Sequence, residues 1–169
     1  MHFQLRMREY AFTLLSMLAA VWMSSVDPTL VKQSQAFVNE AAIAGRYQIE
    51  AAELARARGT EPTRLFASRS LDDHTRTQRE LERLARAQGL ALPKDVDGRR
   101  EAELVRLGQS VGPDFDREYA AQQGQAHANA VDLYERESSD GMDTELRAFA
   151  TERLPVLESQ LQRAEDLER

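Results

Sequence analysis

The residues of this sequence that are best suited to metal binding or catalysis have carboxylate or imidazole side chains and lie in predicted helices. Asp73 and His74 are adjacent in one predicted helix, and His127 lies near the middle of another. Imidazole nitrogens and carboxylate oxygens together suit Fe, Mn or Zn. Metal sites in helical bundles are built from such side chains where they project inward from several helices. Asp73, His74 and His127 are therefore the candidate metal ligands.

On each of the other two long helices, one glutamine lies on the apolar face that is predicted to point inward. The apolar face that runs from Ala44 to Ala51 passes through Gln48. The face between Leu157 and Ala164 passes through Gln160 in the same way. Amide oxygens are poor ligands for transition metals. We therefore place these two side chains beside the metal ligands rather than on the metal itself.

The same residues have a second interpretation, a buried hydrogen-bonded network that fixes the register of the helices. Di-metal bundle sites use Glu-x-x-His on two helices. Here Leu71 stands three residues before His74, and Gly124 stands three residues before His127. Inward-facing histidines also more often satisfy their neighbours than bind metal. The spacing therefore favours the network over the metal site.

Helical periodicity predicts the elements that position these residues. Apolar residues recur at three and four positions, and glycines and prolines stand where helices end and begin. No stretch alternates with period two. The short helix is expected to bury Ala102 and Val105, with Leu104 or Leu107. The sequence predicts an all-α antiparallel four-helix bundle with an extra short helix in the middle connection; the long helices begin near Ser34, Thr60, Pro113 and Thr144.

The N-terminal segment has the pattern of a secretory signal. Arg6 and Arg8 precede an uncharged, mostly apolar run from Tyr10 to Val26. This run is short for a bilayer span. We predict a signal peptide or signal anchor over residues 1–26, a linker over 27–33 and the bundle over 34–169. An uncleaved N-terminal hydrophobic helix would be the only contact with membrane, and a buried helix is the third alternative.

Composition excludes several classes of function. The 169 residues are 42% hydrophobic and 30% charged, which is typical of a globular protein. A formal net charge of −6 argues against nucleic acid as a partner. The chain has no cysteine, which excludes disulfides, thiolate metal sites and a lipoprotein anchor. No phosphate-binding loop or catalytic motif is present, and nothing identifies a partner or an oligomeric state.

Six segments carry a recognisable pattern in chain order: A-F-V-N-E-A-A-I-A-G (36–45), F-A-x-x-x-x-D-D-H-T (66–75), A-x-x-x-G-L-A-L-P (85–93), F-D-R-E-Y (115–119), A-H-A-N-A-V-D-L-Y-E (126–135) and L-R-A-F-A-x-x-x-L-P-x-L (146–157). Through these segments, the stretch from Phe37 to Leu167 resembles the bacterial domain-of-unknown-function family 4142. This resemblance implies a ferritin-like fold and an exported protein. It also implies that Asp73, His74 and His127 occupy polar positions of the family. Gln48 then stands where the family usually has Glu, and Gln160 stands where it usually has His.

These observations lead to one hypothesis and two alternatives. The first is an exported protein of the periplasm or cell envelope, non-enzymatic, with a binding or stress-related role. The second is a ferritin-like metal-binding protein with a degenerate site for Fe, Mn or Zn. The third is a membrane-tethered module that binds a partner protein, which requires that residues 1–26 stay attached.

Overall fold

Residues 27–168 of the chain are described by a computed structural model. Within this range the chain forms five α-helices and no strand, so the all-α prediction is confirmed. The predictions for residues 1–26 lie outside the described residues. The helices are α1 (Pro28–Arg58), α2 (Glu61–Ala87), α3 (Gly98–Gln109), α4 (Pro113–Asp140) and α5 (Thr144–Leu167).

The first helix begins earlier than the sequence pattern predicts. The Asp27 side chain caps it by accepting a hydrogen bond of 2.8 Å from the Thr29 backbone N–H. Pro28 suits the first turn because its missing N–H would have no helical partner there. Residues 28–33, which we predict as a linker, are therefore helical. An aspartate cap also opens α5, where Asp143 accepts from the backbone N–H of Leu146 at 2.8 Å.

The four long helices pack side by side. Helix α1 packs most extensively on α2, and α4 on α5, while α1 also contacts α4 and α2 contacts α5. Only residues 59–60 separate α1 from α2, and only residues 141–143 separate α4 from α5. Connections this short join antiparallel neighbours. The short helix α3 lies in the middle connection and packs on α1 and α4.

Of the residues that the sequence predicted to be buried in helix α3, only Leu107 is fully buried. Ala102 and Val105 are exposed, whereas Leu107 and the charged Arg100 are buried. Arg100 tolerates burial because its guanidinium pairs with the carboxylates of Glu40 and Asp97. A salt bridge from α3 to α1 therefore helps to hold this short helix on the bundle.

The apolar core consists of two clusters stacked along the bundle. The first joins the beginnings of α1 and α5 to the ends of α2 and α4, as antiparallel neighbours require. The second joins the opposite ends of these helices and includes Leu107 of α3. The first cluster contains Phe37, Val38, Ala41, Ala42, Leu81, Leu84, Ala85, Ala130, Tyr134, Leu146, Phe149, Ala150 and Leu157. The second contains Ala51, Ala52, Ala55, Phe66, Ala67, Leu107, Phe115, Tyr119 and Ala164.

Among residues 27–168, no helix combines the length and the apolar character that a bilayer span requires.

Candidate site in the polar layer

A layer of polar side chains separates the two apolar clusters. On each long helix, at least one buried polar residue stands in sequence between residues of the first cluster and residues of the second. One from each helix, Gln48, His74, His127 and Gln160, belongs to the set of positions that the sequence pattern singled out, and none of these four is more than 5% exposed. We call this set the polar layer. The helical phase of the sequence predicted each of these positions as inward-facing.

The two histidines of the polar layer contact each other directly. The Nε2 atoms of His74 and His127 lie 3.3 Å apart, and the ring centroids are 5.4 Å apart. The ring of Phe66 meets His127 edge-on at a centroid distance of 6.1 Å. The pair therefore joins α2 to α4, with an aromatic ring beside it that excludes water.

The backbone fixes the tautomer of His127. Its Nδ1 lies 2.9 Å from the carbonyl oxygen of Gln123, which can only accept a hydrogen bond. Nδ1 therefore carries the proton, and Nε2 presents its lone pair to His74. In this tautomer His74 donates from its own Nε2. The amide nitrogen of Gln48 lies 3.5 Å from the protonated Nδ1, so this close contact joins two donors.

Gln160 connects α5 to both α2 and α4. Its Nε2 donates to Asp73 Oδ2 at 3.2 Å. Its side chain also hydrogen-bonds His127 and raises the pKa of that ring, as an accepting oxygen does. Asp73 itself is half-buried and pairs at 3.8 Å with the exposed Arg76. The carboxylate of Asp73 therefore reaches the histidine pair through the Gln160 amide.

Burial keeps both imidazoles neutral. Desolvation, together with the neighbouring His127, lowers the pKa of His74 to about 3. The pKa of His127 is lowered to about 4, chiefly by desolvation, although its hydrogen bonds to the Gln123 carbonyl and to the Gln160 side chain oppose this shift. The two rings thus meet as an uncharged donor and acceptor at neutral pH.

A metal ion would find two of its ligands in this arrangement. Two nitrogens bound at 2.0–2.1 Å to a tetrahedral metal stand about 3.3 Å apart, and the His74–His127 separation is 3.3 Å. Metal-bound histidines usually donate their other ring N–H to a carbonyl or carboxylate, as His127 does here. However, the described residues contain no group of three or more His, Cys, Asp or Glu side chains that could hold a metal ion. The donor set therefore fits a metal only in part.

Further buried polar groups lie at this level that the sequence analysis missed. Ser70 precedes His74 by one helical turn, and Gln123 precedes His127 by one turn. Both are buried, as is Tyr119, one turn before Gln123 in α4. Ser70 and Gln123 could have been predicted from the sequence, because each stands four residues before an inward-facing histidine and so lies on the same helix face. Among residues 27–168, the buried atoms without a hydrogen-bond partner at these positions are Gln48 Oε1, Ser70 Oγ, Tyr119 OH and both amide atoms of Gln123.

Comparison with known proteins assigns the chain to a family. A crystal structure of a conserved hypothetical protein from Mycobacterium tuberculosis is similar in fold, with a TM-score of 0.65 and 14% sequence identity. The match covers 81% of this chain and 91% of that one. No curated protein matches the sequence. The family model described as "Domain of unknown function (DUF4142)" matches residues 21–167. The chain therefore belongs to the DUF4142 family.

Proposed function

We propose that this chain is an exported, non-enzymatic binding protein of the cell envelope, built on a ferritin-like four-helix plan. In this proposal the polar layer is structural and sets the alignment of the helices. One observation carries the structural role: each long helix contributes one buried residue to the layer, and polar contacts join the residues of α2, α4 and α5. A shift of one helix along its axis would move its polar residue against an apolar cluster.

The protonation states support a non-enzymatic role. A general acid or base works best when its pKa lies near the operating pH. The pKa values of His74 and His127 are lowered to about 3 and about 4. Neither imidazole therefore exchanges a proton readily near neutrality. Both histidines are also fully enclosed, so a substrate would have to open the bundle to reach them.

A double-mutant cycle tests the structural role. His74→Gln, His127→Gln and the double variant are unfolded with urea at pH 7.5. Buried partners in one network couple by about 0.5–3 kcal/mol, so the double variant should lose less than the sum of the single losses. The matched control pairs His127→Gln with Asp72→Asn, an exposed neighbour of His74 on α2. The control pair should be additive, and additivity at His74–His127 as well would contradict the structural role.

The proposed export rests on the sequence of residues 1–26. Arg6 and Arg8 precede the uncharged run from Tyr10 to Val26, in the manner of a secretory signal. Cell fractionation tests this localisation in the periplasm or envelope. The intact mass of the recovered chain distinguishes a cleaved signal peptide from an uncleaved anchor, and an anchor would favour the membrane-tethered module. Recovery of the full-length chain in the cytosol alone would overturn the proposal.

A second candidate function is binding of a transition metal by His74 and His127, with Asp73 as a third ligand. The facing Nε2 atoms and the anchored Nδ1 of His127 favour it. Asp73 would have to leave Gln160 to reach the metal, and Gln48 and Gln160 would then hydrogen-bond the ligands. Titration of the protein with Zn²⁺ or Co²⁺ tests this candidate. Saturation at one ion per chain, lost in His74→Ala, would support it.

A further inference from the structure

A cleft of about 420 Å³ opens between α1, α3 and α4. We call it the α3 cleft. Its volume lies within the range of about 300–1,000 Å³ that is typical of small-molecule sites. Small side chains on the two long helices create it: Ala44 of α1 and Ala126 and Ala130 of α4 line the space without filling it. The short helix α3 supplies the third wall.

The charged groups in the walls of the α3 cleft neutralise one another. Its three arginines and three glutamates carry no net charge, and each arginine is paired with a carboxylate. An ionic ligand would have to break one of these pairs. The pairs are Arg99–Glu103 at 3.0 Å, Arg106–Glu118 at 2.6 Å and the buried Arg100 with Glu40. The walls therefore favour an uncharged ligand.

The remaining polar groups of the cleft are mostly engaged with each other. The Tyr47 hydroxyl donates to Gln122 Oε1 at 3.0 Å, and Gln122 Nε2 donates to Glu118 Oε1 at 2.7 Å. Burial and the Glu103 carboxylate raise the pKa of Tyr47, so its phenol stays neutral. The exception is Gln48, which lines the cleft, is 2% exposed and has no partner for its Oε1.

Gln48 also belongs to the polar layer, and it stands between the cleft and the histidine pair. Its Nε2 lies 3.5 Å from His127 Nδ1. A buried carbonyl-type oxygen without a donor carries the desolvation cost of an unmade hydrogen bond. A ligand that supplies an N–H or O–H at the inner end of the cleft would remove this cost.

We propose that the α3 cleft binds an uncharged organic molecule with an apolar body and one hydrogen-bond donor, which the Gln48 amide oxygen accepts. The alanine-lined walls contact the apolar body, and the charge pairs of the cleft stay intact. This inference names a site and a ligand class for the binding role proposed above, and it rests on that role. It does not depend on whether the polar layer is structural.

Indole and N-methylindole test the proposal as a matched pair that differs in one donor. Binding of each probe to the full-length chain is followed by saturation-transfer NMR titration. We expect saturable binding of indole, with N-methylindole about threefold to tenfold weaker, the loss of one neutral hydrogen bond. Indole-3-acetate should bind more weakly than indole because no cation of the cleft is free. Tighter binding of indole-3-acetate than of indole would overturn the proposal.

Three variants assign the binding to the cleft. Ala126→Leu fills the cleft and should abolish indole binding. Ala128→Leu is the control, with the same substitution on the same helix at a half-buried residue outside the cleft lining, and it should bind like the wild type. Gln48→Met keeps the side-chain length and removes the acceptor, so it should equalise indole and N-methylindole. Circular dichroism confirms that each variant folds.

Two outcomes would contradict the cleft proposal. One is the absence of saturable indole binding to the wild type, and the other is equal binding by Ala126→Leu and Ala128→Leu. Either result removes the ligand class from this cleft and leaves the double-mutant cycle of the polar layer unaffected. Additivity in that cycle, together with saturable indole binding, would instead remove the structural role and retain the cleft.

Discussion

The Nε2 atoms of His74 and His127 lie 3.3 Å apart in the interior of the bundle, where both rings are buried. At this distance one proton can be shared between the two nitrogens, and a second proton there would create a buried charge and set two N–H donors against each other. The neutral pair is stable because His127 is anchored through Nδ1 to the Gln123 carbonyl. The folded state therefore depends on both imidazoles remaining uncharged.

Acidification should destabilise the protein through this pair. The pKa of each histidine falls from 6.5 to about 3 or about 4 on folding, so the unfolded chain binds more protons below pH 6.5. Each histidine then costs about 1.4 kcal/mol of unfolding free energy per pH unit as the pH drops from 6.5 towards 4. The groups that face the pair are Gln48 from α1, Asp73 from α2, Gln123 from α4, and Gln160 and Arg163 from α5.

Urea unfolding of the wild type and of the His74→Gln/His127→Gln double variant between pH 7.5 and 4.5 measures this effect, with a chelator present. The difference between the two proteins isolates the histidines from the carboxylates, which also titrate in this range. The wild type should lose stability relative to the double variant as the pH falls. A difference that stays constant with pH would contradict burial of the neutral pair.

Glu137 should give the opposite pH dependence. Burial and the nearby Asp143 raise the pKa of Glu137 from 4.5 to about 7, although Arg147 lowers it. Its stabilising contribution is complete below pH 4.5 and is lost as the pH rises through 7. Glu137→Gln should therefore stabilise the protein at pH 8 by roughly 1–2 kcal/mol, allowing for solvent screening, and not below pH 5.

Thermal unfolding at pH 8 and pH 5 measures the effect of Glu137→Gln. The exposed Glu135→Gln, two residues earlier on α4, removes the same charge and provides the control. This control should change stability little at either pH. Equal effects of the two variants at pH 8 would show that net charge, rather than the buried carboxyl, is responsible.

Two substitutions should convert the polar layer into a metal site. Gln48 and Gln160 both contact the His127 ring, so Gln48→Glu and Gln160→His would place a carboxylate and a third imidazole beside the existing pair. Four such donors satisfy a tetrahedral ion. We expect the double variant to bind Co²⁺ at one ion per chain, with visible absorption bands of tetrahedral cobalt. Adding His74→Ala should remove these bands, and a double variant without them would contradict the geometry described for the layer.

Helical periodicity predicted most of the fold and the composition of the polar layer. Gln48, His74, His127 and Gln160 each continue an apolar face, so their inward direction follows from the spacing alone. Their meeting at one level follows from the antiparallel order of helices with short connections. Adjacent residues on a helix point in different directions, which is why Asp73 stays half-buried beside the buried His74.

Other features depend on contacts that local patterns do not reveal. Arg100 is buried because Glu40, 60 residues earlier, pairs with it. The unmatched polar atoms of Ser70 and Gln123 depend on what the neighbouring helices place opposite them. The start of α1, in contrast, could have been predicted from the local sequence. The Asp27 cap and Pro28 are a local signal, and the linker prediction overlooked it.

Elemental analysis of the protein purified from the cell envelope tests most directly whether the polar layer is structural, because a structural layer and a metal site require the same residues. We expect no stoichiometric Fe, Mn or Zn in the wild type, and no difference in metal content between the wild type and His74→Ala. One ion per chain in the wild type, lost in His74→Ala, would contradict the structural role of the layer and establish the metal site in its place.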